Sequence, residues 1–573
     1  MMHFSPRPNR AHEIGWQPWG TQAFERARRE DKPILLGISA VWCHWCHVMD
    51  ETTYSDEAII AAIARSYIPV RVDNDRRPDV NARYNQGGWP TTAFLTPEGA
   101  LLAGATYLPP EQMLQALDQI AEFYRTNRAQ IEQRAVEIRA APRSYAPAAP
   151  SELSETAISA VIGHASNAYD EEYAGFGDAP KFPMIDVLEM LLQEYRITGG
   201  QRLYDMVAKS LLAMSSGGMY DHAEGGFFRY STTRDWSVPH FEKMTEDHAG
   251  LMRLLATLTR TTRNERFRGT LISAAGYVRS VLLDHRTHLF AGSQDADETY
   301  YSLALEERRT MQAPYVDRTS YSNWTAAMAG TFVMAGDALE DERLISDGEA
   351  ALDALHERMR DEDGLLYHFI EHEPGALPQV RGLLADQAAY LRALLDAHEY
   401  AGSTRFLERA RALVKPLRER FGAPDGGFYD HAAIEEELGN LPIRERPLPD
   451  NALLAECFLR LHAIEGNDEY RTIAQDALRL YAKTYERAGL FAAPFARALR
   501  RYLSPLAYVN IVGAPAETAE LREAAHALPD PLLVVHTIEQ NDGAAAAYLC
   551  RGTVCAAPAR TTAELREAYE ALI

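Results

Sequence analysis

The feature that most limits how this chain can fold is a repeat in its last two thirds. A glycine-aromatic element recurs there at intervals of mostly about 63 residues, with one interval near 50 and one near 76. Each interval holds two amphipathic segments, which predicts a stacked or closed array of helix pairs. The element occurs as Gly175-Phe176-Gly177, Gly225-Gly226-Phe227-Phe228, His288-Leu289-Phe290, Gly364-Leu365-Leu366-Tyr367, Gly426-Gly427-Phe428-Tyr429 and Gly489-Leu490-Phe491.

Hydrophobic periodicity predicts six helix pairs between residues 153 and 503. Six pairs with short hairpins at one rim indicate an (α/α)6 toroid, although each glycine-aromatic element could also be a simple helix-ending turn. The pairs are 184–197 with 201–215, 243–262 with 267–284, 322–340 with 344–360, 380–401 with 404–421, 450–465 with 468–487, and the flanking helices near 153–169 and 494–503.

The first 125 residues follow an α/β pattern centred on Val41-Trp42-Cys43-His44-Trp45-Cys46-His47-Val48. Residues 34–38 and 68–73 read as buried strands, and a helix is expected to follow the cysteines. A helix capped by Ser55-Asp56-Glu57, a hairpin over 92–102 and a helix over 110–124 complete the unit. Strand, C-x-x-C at a helix start, helix, strand, hairpin and helix is the thioredoxin order.

That position gives the two cysteines a chemical purpose. Unpaired N–H groups at a helix start stabilise a thiolate, so we expect Cys43 to be an acidic, accessible nucleophile. Cys46, one turn later, is placed to resolve a mixed disulfide. Pro90, in Gly88-Trp89-Pro90, stands where thioredoxin folds keep a cis-proline beside the dithiol. No cofactor is therefore predicted other than a redox-active Cys43–Cys46 disulfide.

Three other interpretations of the C-x-x-C stretch stay open. Covalent haem attachment to C-x-x-C-H is normally extracytoplasmic, and no distal axial ligand is evident. A zinc site needs two further ligands, from His3, His12, His44 or His47, with no second C-x-x-C or H-x3-H in the sequence. The cysteines could also form an inert structural pair.

Composition excludes several function classes. A net charge of −23 disfavours a nucleic-acid partner or an anionic membrane surface. The first residues contain no secretory pattern, and no later stretch approaches the ~20 apolar residues of a membrane span. Five cysteines in 573 residues are too few for a disulfide framework, so a reducing, cytoplasmic location is expected.

A family resemblance rests on motifs from both parts of the chain. The chain resembles the spermatogenesis-associated protein 20 / YyaL family, thioredoxin domain-containing proteins with a large helical domain similar to six-hairpin glycosidases and N-acylglucosamine 2-epimerases. After Asp297 the family's glycine-rich segment is cut short. The motifs include Trp16-Gln17-Pro18-Trp19-Gly20, Asp31-Lys32-Pro33, Arg77-Pro78-Asp79-Val80, Ala179-Pro180-Lys181-Phe182-Pro183, Gly218-Met219-Tyr220-Asp221-His222, Val238-Pro239-His240-Phe241-Glu242-Lys243-Met244 and Gln294-Asp295-Ala296-Asp297.

The resemblance implies a ligand-binding funnel at the loop end of the toroid, with a carbohydrate as the possible ligand. A glycosidase needs one protonated and one ionised carboxyl group, and an epimerase needs an acid and a base. Each polar residue could instead cap, pair or be solvated. The candidates are Asp221, His222, Glu224, His240, Glu242, Asp247, Asp295 and Asp297, with Tyr220, Tyr230, Trp236 and Phe241 as sugar-stacking rings.

The chain ends in a small β-α-β-like appendage. Residues 507–513 and 532–536 read as strands, with a helix between them at 516–527. Cys550 and Cys555 resemble the family's C-terminal cysteine pair and are either a relay dithiol for Cys43 and Cys46 or two small packed residues. Cys457 is predicted to be core.

The sequence thus predicts a multidomain α/β and all-α protein. The expected domains are 1–125 thioredoxin-like, 126–152 linker, 153–503 toroid and 504–573 appendage. The leading functional hypothesis is a thiol–disulfide oxidoreductase fused to a carbohydrate-binding or carbohydrate-active toroid, with a protein thiol or disulfide as partner. The alternatives are a sugar epimerase, isomerase or glycoside hydrolase with the thioredoxin unit as scaffold, and a non-catalytic binding or chaperone-like module.

Overall fold

A computed structural model describes residues 2–131, 133, 152–433, 438–540 and 544–572. Chain contacts divide it into two compact units, one of residues 1–146 with 431–445 and one of 147–430 with 446–573. The expected linker 126–152 lies mostly outside the described residues. Within the described ranges, no helix combines the length and the apolar character that crossing a bilayer requires.

The N-terminal unit contains the elements predicted between residues 34 and 124. Its sheet has the order β2-β1-β3-β4, with β1 and β2 parallel and the other neighbours antiparallel. Asp56 caps its helix as predicted, accepting hydrogen bonds from the backbone N–H groups of Ala58 and Ile59. The elements are α1 Thr21–Glu30, β1 Ile34–Ser39, α2 His44–Glu51, α3 Glu57–Ser66, β2 Ile68–Asp73, α4 Pro78–Tyr84, β3 Thr91–Leu95, β4 Leu101–Ala105 and α5 Pro110–Thr126.

Residues 431–445, expected within the toroid, pack in the N-terminal unit instead. Leu438 and Leu441 join the buried cluster on one face of the sheet. The buried Tyr84 hydroxyl donates to the carbonyl of Gly99 at 2.7 Å and accepts from the backbone N–H of Asn440 at 2.7 Å. These contacts join segments more than 350 residues apart in the chain, which hydrophobic periodicity cannot foresee.

The second unit is a closed ring of helix pairs. Six inner helices contact one another in sequence, and α20 contacts α7 to close the ring. Each inner helix packs against an outer helix that runs back, so the inner helices all point the same way. The inner helices are α7 Ile185–Thr198, α9 Thr245–Thr262, α13 Ser322–Leu339, α15 Leu384–Ala401, α17 Leu448–Glu465 and α20 Ala493–Leu503; the outer ones are α6 Glu155–Ala168, α8 Gln201–Ser216, α10 Glu265–Tyr277, α14 Glu342–Arg358, α16 Thr404–Phe421 and α18 Asp468–Arg479.

Short elements lie in the loops before the inner helices. They form small antiparallel sheets. One of these has three strands in the order β11-β10-β7, and its strand β7 leads directly into α9. The elements are β5 Tyr230–Ser231, β6 Pro239–His240, β7 Lys243–Met244, β8 Leu283–Asp284, β9 Leu289–Phe290, β10 Ser293–Gln294, α11 Glu298–Tyr301, α12 Leu305–Arg308, β11 Val316–Asp317, β12 Ser320–Tyr321, β13 Tyr367–Ile370, β14 Gln379–Arg381 and α19 Tyr485–Ala488.

Three of the six glycine-aromatic elements share one physical cause. The fourth residue of an inner helix accepts a backbone N–H of the element: His248 from Phe227 at 2.8 Å and Asn451 from Phe428 at 2.7 Å. A Cβ on the preceding glycine would lie 2.8 Å from that acceptor in both cases. Gln387 accepts from Leu366 in the same way at 2.9 Å. At these three elements the repeat marks where the outer-to-inner connection is attached to the ring.

The C-terminal segment forms a second small sheet with helices. Its strand order is β16-β15-β17-β18, with β15 and β16 parallel. It packs at the end of the ring where inner helices finish, since Arg196 and Arg501 donate to the carbonyls of Leu528 and Leu532. The elements are β15 Ala507–Gly513, α21 Pro515–His526, β16 Val534–Glu539, β17 Ala546–Arg551, β18 Val554–Cys555 and α22 Thr562–Leu572.

Replacing Asn451 tests the origin of the repeat. Besides accepting from Phe428, its buried amide donates to the carbonyls of Phe428 and Pro447 at 2.9 Å. Asn451→Ala is expected to lower the free energy of unfolding by about 1–3 kcal/mol in urea titrations, because a buried N–H loses its acceptor. The exposed Asn167→Ala is the control, with about 0.5 kcal/mol or less. Equal effects of the two changes would refute this origin.

Candidate functional site

The two N-terminal cysteines are joined as a disulfide at the start of α2. Cys43 is the N-cap residue, and its Sγ accepts a hydrogen bond from the backbone N–H of Cys46 at 3.1 Å. The Trp89–Pro90 peptide bond is cis, and Pro90 lines the same small cavity as Cys46. The structure thus brings together Cys43, Cys46 and Pro90, the three residues singled out for this site.

The expected accessibility of Cys43 is wrong for this disulfide form. Only 5% of Cys43 and 2% of Cys46 is exposed, whereas Trp45 between them is 53% exposed. Trp42 is also buried, and its indole N–H donates to Asp75 at 2.6 Å. Both cysteines of the disulfide are therefore almost fully buried, which limits the approach of a thiol.

Two histidines near the cysteines, His3 and His47, are neutral at physiological pH. Burial lowers the pKa of His3 to about 4 and that of His47 to about 4. Their rings lie 5.9 Å apart. Neither of these two imidazoles therefore supplies a positive charge to a Cys43 thiolate, whereas the N–H groups at the start of α2 support it electrostatically. Among the residues that the structure describes, no group of three or more metal-ligating side chains is present.

An ion pair lies behind the disulfide. The Arg71 guanidinium donates to both carboxylate oxygens of Asp50 at 2.7 and 2.9 Å, and the Ser5 backbone N–H donates to the same carboxylate. Asp50 and Arg71 line the cavity of about 10 Å³ that Cys46 and Pro90 also line. That volume is close to the requirement of one water molecule. A water there would lie between Cys46 and the Asp50–Arg71 ion pair.

Substitutions at this pair test whether it is a coupled unit. Asp50→Ala leaves the guanidinium of Arg71 buried without its partner, so the free energy of unfolding measured in urea should fall by about 3–5 kcal/mol. The double change Asp50→Leu with Arg71→Met removes both charges, so the free energy of unfolding should fall clearly less than in Asp50→Ala. A double variant that loses as much unfolding free energy as Asp50→Ala, or more, would contradict the pairing.

In the ring unit, Asp221 is part of a buried ion-pair cluster. Its carboxylate accepts from the Lys243 ammonium and the Arg308 guanidinium, both at 2.7 Å. Arg308 also donates to Glu224, whose carboxylate accepts from the Tyr300 hydroxyl. Although burial opposes it, Lys243 holds the pKa of Asp221 below its usual value. Asp221 is therefore a charged, paired group, as the pairing alternative expects, and a catalytic role for it stays a prediction.

Three further candidates make local structural contacts. The exposed His222 ring bonds to the carbonyl of Gly217 at 3.1 Å. Asp297 caps α11 by accepting from the backbone N–H of Tyr300 at 2.9 Å. Asp295 is buried and accepts from the N–H of Ala296. The capping alternative describes Asp297 well.

His240 and Glu242 are better placed for catalysis than the preceding candidates. His240 Nδ1 is hydrogen-bonded to the buried Glu242 carboxylate, and its ring stacks on Tyr230 at 4.9 Å. Phe182, 41% exposed, stacks on the other side of this aromatic group at 4.7 Å from Tyr230. Trp236 is only 1% exposed, so its expected role as a sugar-stacking ring is wrong.

Carboxyl groups in the first turns of the inner helices gather at the loop end of the ring. Asp247 and Asp450, each the third residue of its helix, have pKa values raised to about 7. Burial is the main cause for both, with Glu246 and Glu242 adding to it near Asp247 and Asp430 and Asp386 near Asp450. Both side chains keep some contact with solvent. They are the groups in the ring best suited to donate a proton near neutral pH.

Sequence analysis included Asp247 but missed Asp450. The signal was an acidic residue at the second or third position of several inner helices, as at Asp186, Asp386 and Asp450. Such residues commonly stabilise a helix start, so the pattern alone does not separate a capping role from a catalytic one.

The raised pKa of Asp247 predicts a pH dependence. A carboxyl group with a higher pKa in the folded state stabilises the fold at acid pH and loses that contribution as pH rises through about 7. Asp247→Asn should therefore reduce the fall in unfolding free energy between pH 5 and 8 by about 1–2 kcal/mol. The control is Asp178→Asn, because the Asp178 side chain is 85% exposed. Parallel pH profiles for wild type and Asp247→Asn would contradict the shift.

The C-terminal cysteines are also a disulfide. Cys550 on β17 faces Cys555 on β18, with 4.0 Å between their Cα atoms. Cys550 is buried and Cys555 is exposed. A role as relay for Cys43 and Cys46 stays a prediction. Cys457 is buried as expected, and burial raises the pKa of its thiol to about 12.

Comparisons with known proteins bear on both units. A protein-family model, Thioredox_DsbH, described as a protein of unknown function, DUF255, matches residues 7–141. Spermatogenesis-associated protein 20 of Homo sapiens is 26% identical, over 97% of this chain and 89% of the human protein. The chain is similar to spermatogenesis-associated protein 20 along nearly its whole length. The family resemblance expected from the motifs is confirmed.

Solved structures of sugar epimerases and isomerases resemble the ring distantly. Cellobiose 2-epimerase from Spirochaeta thermophila has a TM-score of 0.49 and 14% identity, covering 66% of this chain and 98% of that chain. D-mannose isomerase also has a TM-score of 0.49, with 9% identity over 62% of this chain and 99% of that chain. With TM-scores below 0.5, these resemblances add nothing to the description of the six helix pairs and support no statement about activity.

Proposed function

We propose that the N-terminal unit is a thioredoxin-like thiol–disulfide exchange domain that acts through Cys43 and Cys46. The observation that carries the proposal is the Cys43–Cys46 disulfide at the start of α2, with the Cys46 N–H donated to the Cys43 sulfur. A sulfur in that position is stabilised as a thiolate by the helix start, which favours it as both attacking and leaving group. The match of residues 7–141 to the Thioredox_DsbH family agrees with this proposal.

The exchange proceeds in two balanced steps. In the reduced form, the Cys43 thiolate attacks one sulfur of a partner disulfide, and the other partner sulfur leaves as a thiolate that takes up a proton. The Cys46 thiol then loses its proton, attacks Cys43 Sγ, forms the Cys43–Cys46 bond and releases the second partner thiol. The partner is reduced by two electrons and the pair is oxidised by two. The reverse sequence oxidises a partner dithiol.

The neighbouring groups have separate roles in these steps. Asp50 is held by Arg71 in a closed ion pair that lines the small cavity beside Cys46 and supports the fold around the second cysteine. Pro90 borders the same cavity and would seat an extended partner segment. The limited exposure of the sulfurs favours a small thiol or an extended peptide over a folded surface. A reducing cytosol is the proposed compartment, because its thiol pool returns the pair to the dithiol form.

Cysteine variants test the exchange activity. Wild type should reduce a disulfide-bonded peptide in the presence of dithiothreitol, and Cys43→Ser should lower that rate at least 100-fold. Cys46→Ser should instead accumulate a mixed disulfide on Cys43, visible by mass spectrometry and released by dithiothreitol. The paired change Cys550→Ser with Cys555→Ser is the matched control and should keep at least half of the activity. An unchanged rate in Cys43→Ser would refute the proposal.

A second candidate function is acid–base chemistry on an uncharged polyhydroxyl ligand, such as a carbohydrate, at the loop end of the ring. Asp247 and Asp450, each with a pKa of about 7, favour it because a carboxyl group that stays protonated near neutral pH can act as a general acid. His240, hydrogen-bonded to Glu242, would be the complementary base.

Turnover of aldoses and disaccharides, followed by chromatography, tests this second candidate. Activity should fall as pH rises above about 7, because the acid ionises there. Asp247→Asn and His240→Ala should each lower turnover at least 100-fold, whereas Cys43→Ser should leave it unchanged. Loss of sugar turnover in Cys43→Ser alone would contradict an independent ring site.

A further inference from the structure

A cavity of about 150 Å³ lies inside the helical ring, near the ends of the inner helices. Residues from α7, α9, α15, α17 and α20 line it, and the C-terminal segment covers it with His526 and residues 530–535. It is distinct from the first turns of the inner helices, where Asp247 and Asp450 lie. Its volume is about ten times the ~10–15 Å³ that one water needs, so a small molecule fits.

The lining of this cavity carries an excess of positive charge. Among the described lining residues, arginines number seven and carboxylates five. The acidic chain as a whole has a net charge of −23, so this concentration of guanidinium groups runs against its composition. The carboxylates are already engaged: Asp396, for example, pairs with Arg253 at 2.7 Å and with Arg460 at 2.9 Å.

Glu189 and Glu456 are likewise occupied. Glu189 accepts from Arg392 at 3.3 Å and is paired with Arg497. Arg497 also pairs with Glu456 at 3.1 Å. The ion pairs inside the ring therefore account for the central arginines and leave those in the last turns of α7 and α20.

Arg196 in α7 and Arg501 in α20 make no direct ion pair among the described residues, although the carboxylate of Asp530, which pairs with Arg551 at 3.8 Å, lines the same cavity. Among the described residues, no carboxylate lies within ion-pair distance of either side chain, and each Nε–H lacks an acceptor. Their remaining contacts are to backbone carbonyls: Arg196 to Leu528 at 3.3 Å, and Arg501 to Leu532 at 2.8 Å. The α7 and α20 helices are neighbours in the ring, so both guanidinium groups border one space.

We propose that this cavity binds a small tetrahedral dianion, inorganic phosphate or a phosphate monoester, between Arg196 and Arg501. Planar guanidinium groups bind phosphate oxygens through paired hydrogen bonds, and two of them balance a charge of −2. Burial lowers the pKa of Arg196, and the nearby Asp530 carboxylate only partly offsets the cost of holding this cation. A bound dianion would remove that cost. This proposal is independent of thiol exchange.

Equilibrium dialysis of the full chain with labelled inorganic phosphate, at constant ionic strength set by sodium chloride, tests the site directly. Saturable binding of one phosphate per chain is expected, with a matching rise in unfolding temperature. Glucose 6-phosphate as competitor separates the two sources: displacement at lower concentration than phosphate assigns the site to an ester, and weaker displacement to the free ion. Absence of saturable phosphate binding, or binding of malonate without phosphate, would overturn the proposal.

Paired variants locate the binding. Arg196→Gln with Arg501→Gln should weaken phosphate binding at least 10-fold; glutamine keeps a donor for the carbonyls, so the ring should stay folded. Arg266→Gln with Arg268→Gln removes the same charge from the exposed face of α10 and should leave binding unchanged. The single change Arg196→Gln should also weaken phosphate binding and gives a second measurement of the same effect. Equal phosphate affinity in the cavity and surface variants would overturn the assignment.

Discussion

Backbone N–H groups at helix starts determine where the reactive groups of this chain lie. In the N-terminal unit, the start of α2 carries Cys43 as its N-cap and donates the Cys46 N–H to its sulfur. In the ring unit, six inner helices run in one direction, so their first turns meet at one end. Asp247 and Asp450 lie there. The helix start supports a thiolate at Cys43, whereas burial keeps Asp247 and Asp450 protonated against the same helix-start electrostatics.

The two units use buried charge differently. Behind the disulfide, one arginine and one carboxylate neutralise each other, so Arg71 and Asp50 form a closed pair whose remaining acceptor capacity serves Ser5. In the ring interior, arginines outnumber carboxylates among the described lining residues, and Arg196 and Arg501 retain only carbonyl partners. Buried charge costs free energy unless it is compensated. The complete pair supports the fold, whereas Arg196 and Arg501 are the charges to which the proposed phosphate would bind.

Local sequence patterns were sufficient for the elements and for the first site. The helix over 404–421 was predicted with the bounds that the structure has, and the glycine-aromatic repeat marked the six pairs. Long-range packing decided what the patterns could not reach. Leu438 joins a core built from residues 19–95, Asp221 is paired with Lys243 and Arg308, and Cys43 is buried. Asp450 was missed because an acidic residue in a first turn usually only caps a helix.

In the proposed function, Cys43 and Cys46 exchange electrons reversibly with an external dithiol. A redox titration measures this most directly: the full chain is equilibrated with graded ratios of reduced and oxidised dithiothreitol, free thiols are alkylated, and each peptide is quantified by mass spectrometry. The account predicts a single two-electron transition for the Cys43–Cys46 peptide that is the same when approached from either direction. A pair that stays entirely reduced or entirely oxidised across the series, or that fails to reach the same endpoint from both sides, would contradict it.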